Sequence, residues 1–216
     1  MSTEWPLRQD PDAPVIIAQD LVSDPRLLGF VVLDDDDDWF VSDGTEATED
    51  VVTNREKFCR LSLREALDLL PQLAALAGLP VGMAADWEPE RRTWLLSSVV
   101  GSDDEAEDRA ILDARRAAWH YAGEPDDQAQ ISTGLTEIPA GPDAPVRAVR
   151  QVVREPDGTW LFVGFEVPEA EDFEVEVLEL EHVARLYPDV QTVLKAAPGQ
   201  VYDRAEPGAT WELVEG

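Results

Sequence analysis

The chain has 216 residues, 46 of them acidic and 17 basic, for a formal charge of −29 at neutral pH. So negative a surface excludes a protein that holds nucleic acid by neutralising phosphates, and anionic lipid head groups repel it. With 44% hydrophobic residues and seven Trp the chain can bury cores rather than act as a disordered acidic tail, and its single cysteine, Cys59, excludes an internal disulfide or a thiolate zinc cluster.

Met1–Pro6 has neither a basic region nor an apolar run, and no stretch approaches the ~18 apolar residues of a membrane span. The expectation is a cytoplasmic protein without a secretory signal. Residues 10–14 read as an irregular lead-in to a strand over 15–18. Val31–Leu33 and Trp39–Val41 flank the polar run Asp34–Asp38, which is a hairpin pattern with the aspartates at its tip. Ser62 and Glu65 form a capping box ahead of Leu63, Ala66, Leu67 and Leu70 at helical spacing. Pro71 cannot sit inside that helix but suits the start of another, so the pattern predicts two short helices, 62–69 and 71–78. Gly82 then turns the chain into strands around 83–87 and 92–98. Ser102–Asp108 is an acidic cluster, Ala110–Tyr121 has a helical apolar stripe, and Gly123–Ala144, rich in Pro, Gly and Asp, reads as a linker.

The same pattern then recurs. Leu61–Trp94 and Leu178–Trp211 align without a gap, pairing Leu61/Leu178, Leu63/Leu180, Leu69/Leu186, Pro71/Pro188, Gly82/Gly199, Asp86/Asp203, Thr93/Thr210 and Trp94/Trp211 as identities. Upstream, Val152-Val153-Arg154 leads through Glu155-Pro156-Asp157-Gly158-Thr159 to Trp160, as Val31–Leu33 leads through five Asp to Trp39. The second copy is expected to hold helices 179–187 and 188–196 and strands 200–204 and 209–214. The fold class expected is α+β, with two related modules, each a small antiparallel sheet packed with a short two-helix hairpin. The domains expected are 1–101, an acidic cluster, helix and linker over 102–144, and 145–216.

Chemistry-bearing motifs are sparse. His120 and His182 are the only imidazoles, and no Gly-x-Ser-x-Gly, glycine-rich phosphate loop or spaced metal-ligand set accompanies them. Consecutive Asp34–Asp38 lack the spaced ligands and glycine of a Ca²⁺ loop, so a solvated turn is expected. Cys59 lies beside Lys57 and Arg60, which favour a thiolate, but a half-buried inert thiol is the expected state. Asp86 and Asp203, identical between copies, suit a shared structural role. No catalytic, cofactor-binding or metal-binding residue is expected, and the protein is read as non-enzymatic. The candidate partner-binding residues are the acidic runs: Asp34, Asp35, Asp36, Asp37 and Asp38; Asp103, Asp104 and Glu105; Glu171, Asp172 and Glu174. The last run lies in Glu169–Glu176, where period-two alternation suits a strand with an exposed acidic face. Such a face either docks a basic groove or guards a sheet edge against aggregation.

The repeated block, an apolar-Trp hairpin followed by Leu-x-Leu, Leu-x-Pro, a Gly and a closing Trp, resembles a small uncharacterised bacterial domain. That domain is often encoded beside polymorphic toxins and regarded as an immunity protein. The resemblance covers Val146–Trp211 best, through Trp160, Leu180, Leu186, Pro188, Gly199 and Trp211. It implies a cytosolic α+β protein without catalytic residues that neutralises a toxin by binding it. The partner expected is a basic protein, with no direct nucleic-acid or membrane contact, steered in by the acidic runs. Two other readings stay open: mimicry of nucleic acid against a nuclease or DNA-binding protein, and an enzyme whose site the motifs do not reveal.

Overall fold

A computed structural model of the chain describes residues 5–34, 36–45, 55–99, 105–140, 147–167 and 173–215. In chain order the first elements are β1 (Pro14–Ala18), α1 (Gln19–Ser23), β2 (Phe30–Leu33), β3 (Trp39–Ser42), β4 (Phe58–Ser62), α2 (Leu63–Leu69), β5 (Met83–Glu88) and β6 (Thr93–Ser98). Next come α3 (Glu105–Ala118), β7 (Gln128–Ser132), α4 (Thr133–Thr136) and β8 (Glu137–Pro139). The last are β9 (Val149–Arg154), β10 (Trp160–Gly164), β11 (Val175–Glu179), α5 (Leu180–Leu186), β12 (Val201–Asp203) and β13 (Glu212–Glu215). The architecture is α+β with two sheets. No helix among the described residues is long and apolar enough to cross a membrane.

The chain divides into two compact units, Met1–Val99 with Glu137–Pro145, and Val100–Thr136 with Val146–Gly216. The first holds a seven-stranded sheet in the order β4-β1-β3-β2-β5-β6-β8, the second a six-stranded sheet in the order β11-β7-β10-β9-β12-β13. Neither sheet is wholly antiparallel, contrary to expectation: β1 runs parallel to β3, and β7 to β10. The helical crossover after β1 carries the chain past the next hairpin strand before β3 returns beside it. The stretch 123–144, expected to be a linker, contributes β7 to one sheet and β8 to the other. Of its described Pro and Gly residues, Gly134 lies within α4 and Pro139 ends β8, so the stretch up to 140 is not a structureless connection.

Each α-helix that follows an edge strand stops before a proline, as the missing N–H and clashing ring require. Ser62 Oγ accepts from Glu65 N at 3.3 Å, and the Glu65 carboxylate accepts from Ser62 N at 2.8 Å, completing the capping box of α2. The hydrogen bonds from Ser62 N and, at 2.7 Å, from Ser62 Oγ hold the Glu65 carboxyl below its ordinary range. After Leu70 the chain tightens into a 3₁₀ turn at Pro71–Leu76, and after Tyr187 into one at Pro188–Thr192. The second helices expected are therefore shorter and tighter than an α-helix.

In the first unit Leu63, Ala66, Leu73 and Leu76 pack toward a core with Val15, Ile17, Leu33, Trp39 and Trp94, all buried. In the second, Leu180, Val183 and Val190 do so with Ala129, Ile131, Trp160 and Phe162. Each fully buried large aliphatic or aromatic side chain is worth roughly 1.5–3 kcal/mol in apolar burial.

The backbone hydrogen bonds of the two units fall at corresponding places. Leu63 N and Arg64 N donate to Ala13 O and Pro11 O at 2.8 and 2.9 Å; Leu180 N and Glu181 N donate to Asp127 O and Pro125 O at 2.8 and 3.0 Å. Trp94 Nε1 donates to Gln72 O at 3.1 Å, and Trp211 Nε1 to Asp189 O at 3.2 Å. Gly82 and Gly199, with φ of 76° and 86°, sit where a left-handed turn starts the strand that returns beside the hairpin. Their amides donate to Leu33 O and Arg154 O.

Candidate functional site

The candidate acidic residues divide between the units. Asp34, Asp36, Asp37 and Asp38 lie at the β2–β3 hairpin tip of the first unit, with Asp35 outside the described residues. Asp103, Asp104, Glu171 and Asp172 also lie outside them. Glu105 opens α3, and Glu174 is exposed just ahead of β11 in the second unit.

The hairpin tip is a built turn as well as a charged one. Asp34 N donates to Asp38 O, and Asp37 N to Asp34 O, both at 3.1 Å. The Asp34 carboxylate accepts from Asp36 N at 3.1 Å and Asp38 N at 2.8 Å. Desolvation in this turn, with the charges of Asp38 and Asp36 adding to it, pushes the Asp34 carboxyl up against the lowering pull of those amides. Asp37 adopts φ of 65°, and its Oδ1 accepts from Arg8 Nη2 at 2.8 Å and Gln9 Nε2 at 2.9 Å. Asp36 faces solvent.

The matching tip of the second unit does the same backbone work with other residues. Glu155 N donates to Thr159 O at 2.8 Å and Gly158 N to Glu155 O at 2.9 Å, with Gly158 at φ of 97°. Glycine reaches that conformation at no steric cost, whereas a side-chain-bearing residue is disfavoured there by roughly 1–2 kcal/mol.

β11 is the outermost strand of its sheet among the described residues, and over 175–177 it is exposed on both faces. Val175 and Val177 are 40% and 50% exposed, beside exposed Glu174 and Glu176. The alternation of Glu and Val therefore does not bury the valines as a one-sided strand would. Past Val177 the acidic character is compensated. Arg115 of α3 is half-buried and pairs with both Glu179 and Glu181, and Arg185 pairs with Glu181. Burial alone would lower the Arg115 pKa, and the hydrogen bonds of the two carboxylates outweigh it. His182 is buried in α5 with Nδ1 3.8 Å from Glu179, while His120 is exposed past the end of α3.

Sequence reasoning missed a clasp at the end of β7. Ser132 Oγ donates to Glu166 Oε1 at 2.8 Å and accepts from Gly164 N at 3.0 Å. A Cβ on Gly134 would stand 2.4 Å from Glu166 Cγ, and one on Gly164 1.9 Å from Glu166 Oε2, so these two glycines make the room the carboxylate occupies. Neither glycine has a positive φ, so only the absent side chain matters. The Ser-Thr-Gly and Gly-Phe-Glu triplets are the signal, legible once the strands holding them are known to be neighbours. In the first unit Ala18 stands where the second has Ser132, and no such clasp forms among the described residues. A cavity of about 340 Å³ lies there, lined among others by Asp20, Asp43, Glu56 and Lys57.

Other singled-out groups have structural settings. Cys59 on β4 is half-buried, and burial pushes its thiol up, away from the reactive thiolate. Asp86 is pushed up by burial, then by the charge of Glu88, whereas Asp203 accepts from Gln151 Nε2 at 3.1 Å and lies 3.7 Å from Arg150. Among the described residues no three His, Cys, Asp or Glu side chains converge as a metal site would need. Comparison with protein-family models, curated proteins and solved structures returned no match to this chain.

Proposed function

We propose that the chain is a non-enzymatic, acidic binding protein built from two copies of one ancestral module, and that it recognises a basic protein. Support for the duplication is the agreement of strand order, parallel pair and register: Val15 faces Trp39 and Leu61, as Ala129 faces Trp160 and Leu178. The six shared strands, the helix and 3₁₀ turn, and the paired tryptophan hydrogen bonds follow the same plan.

The observation that carries the binding role is the contrast between hairpin tips. The second tip closes the identical turn with a glycine at the left-handed position and one aspartate, Asp157, whose carboxylate accepts from Thr159 N at 2.9 Å, so the turn requires neither an aspartate at the left-handed position nor a run of five. The first tip places Asp37 in that strained position, and burial, with the charges of Asp38 and Asp36 adding to it, pushes Asp34 up. A charge cluster that costs stability where the fold offers a cheaper solution is held for what it attracts. At a net charge of −29, such a tip steers cationic partners through long-range attraction. A toxin neutralised by this protein is the partner class that the sequence resemblance favours.

The test is affinity capture by the immobilised full chain from its native cell extract. The expected result is a stoichiometric partner of isoelectric point above about 9. Its association rate should fall about tenfold or more with added salt, and similarly for the Asp34→Asn/Asp36→Asn/Asp37→Asn variant. Recovery of no stoichiometric protein, or of an acidic one indifferent to salt, overturns the proposal.

A further inference from the structure

The first unit shows how this sheet is finished; among the described residues of the second, no strand takes the place of β8. β8 pairs antiparallel with β6, placing Pro139 opposite Thr93, Ile138 opposite Trp94 and Glu137 opposite Leu95. Arg91 Nη2 holds Glu137 at 2.5 Å. Under this cover Thr93 is 5% exposed, Trp94 0% and Leu96 5%.

The strand at the same place in the second unit is β13, and it is the sheet's edge among the described residues. The residues aligned with Thr93, Trp94 and Leu96 are Thr210, Trp211 and Leu213. Thr210 is exposed, Trp211 is half-buried, and Leu213 and Val214 are 51% and 54% exposed. Glu212 is exposed where the first unit has Leu95. An open edge with two adjacent exposed aliphatics is a template for another strand, and natural sheets usually blunt such edges.

We infer that β13 accepts an extended segment of the basic partner as a seventh, antiparallel strand, in the place that β8 fills in the first unit. The inference rests on the reading of the protein as a binder of basic proteins and names the surface. Charge decides between occupants. Pairing β13 with a second copy would bring two chains of −29 together, with Glu212 added to each side of the contact. A cationic segment meets attraction instead. By the β8 precedent it sets an aliphatic residue against Trp211 and a Lys or Arg against Glu212. Main-chain hydrogen bonds to the edge supply affinity and the alternate side chains supply selection.

The probe is a synthetic peptide of about ten residues alternating Lys with Ile, titrated into the full chain while backbone hydrogen exchange is followed. Saturation should slow exchange within 211–215 by about tenfold or more. The Leu213→Lys/Val214→Lys variant, altered only at exposed positions, should bind the peptide at least about tenfold more weakly. The same peptide with alternate backbone amides methylated should lose binding, because it keeps its charge but cannot form the ladder. Equal binding of the methylated peptide, or protection away from β13 that the variant retains, overturns the edge assignment while leaving the basic-partner reading standing. Protection of β13 without peptide that rises with protein concentration makes a second copy the occupant, and also overturns it. Failure of this peptide and of every captured basic protein to bind overturns both.

Discussion

The two units solve one folding problem with different surroundings for the same tryptophan. In the first, Trp94 is sealed beside β8 and packs against Trp87 with ring centroids 4.9 Å apart and planes tilted by 52°. In the second, Trp211 is half-buried, and Arg204 lies over its ring at 4.3 Å in place of the second tryptophan. Arg204 is itself 3% exposed, donates to Val149 O at 2.6 Å and pairs with Asp189. One interior is thus closed by apolar cover, the other by a buried cation that is tolerated because carbonyl, carboxylate and ring share its charge. The shared strand plan fixes where a ring must sit, and the neighbours decide how it is covered.

The contrast can be broken most forcefully at the tryptophans. Trp94→Ala should destabilise the first unit by about 3–5 kcal/mol, and Trp211→Ala the second by only about 1–2 kcal/mol. Urea titration with hydrogen exchange on each sheet measures both, and equal losses would show that β8 adds nothing to burial. Arg204→Ala should cost about 3 kcal/mol, because it leaves Val149 O without its buried donor and Trp211 without its covering cation, while the exposed Asp189 is taken up by solvent. Arg204→Lys should recover little of this, since an ammonium cannot lie flat on the ring and reach both acceptors.

A pH experiment separates the units next. Tyr187 donates to Leu135 O at 2.5 Å, and burial, opposed by Arg147 and aided by Glu166 and Asp189, pushes its phenol up to about 12 from 10.0. The folded state favours the neutral phenol, so this contribution is whole below pH 10 and is lost as pH rises toward 12. The second unit should lose roughly 2–3 kcal/mol across that window, and Tyr187→Phe should flatten the loss. The aligned residue of the first unit is Leu70, which contributes no such dependence. The smallest effects lie at the hairpin tips. Asp37→Gly should gain roughly 0.5–1 kcal/mol and Gly158→Ala lose about 1 kcal/mol, read from thermal midpoints. A loss on Asp37→Gly would mean that the Arg8 and Gln9 contacts outweigh the strain, and would remove the argument that the aspartates are held against stability.

Legibility followed the interval between equivalent residues. From Leu61/Leu178 to Trp94/Trp211 that interval is constant, so the repeat, the capping box at Ser62 and the turns at Gly82 and Gly199 could be read from the letters. Between Val15/Ala129 and Trp39/Trp160 it changes with loop length. The counterparts β1 and β7 therefore did not align, and β7 was absorbed into an expected linker. The Pro11/Pro125 and Trp5/Trp119 pairs disappear for the same reason, although Trp5 and Trp119 each donate to a backbone carbonyl four residues on. At the acidic runs, composition found the Asp34–Asp38 tip but not that Asp34 and Asp37 are engaged within it. The exposure of Val175 and Val177 is set by what packs over them and not by strand position, since Phe58, in the place of Val175 on the outer strand β4, is buried, and no local pattern records that cover.

The placement of β8 has a consequence for biosynthesis. The chain lays down six strands of one sheet, begins the other with β7, and only then returns with β8 to finish the first. A ribosome must therefore extrude the founding strand of the second half before the first half can close. No single cut of the gene yields both halves intact: severing after Val99 deprives β6 of its cover, and severing after Pro139 robs β10 of its parallel neighbour.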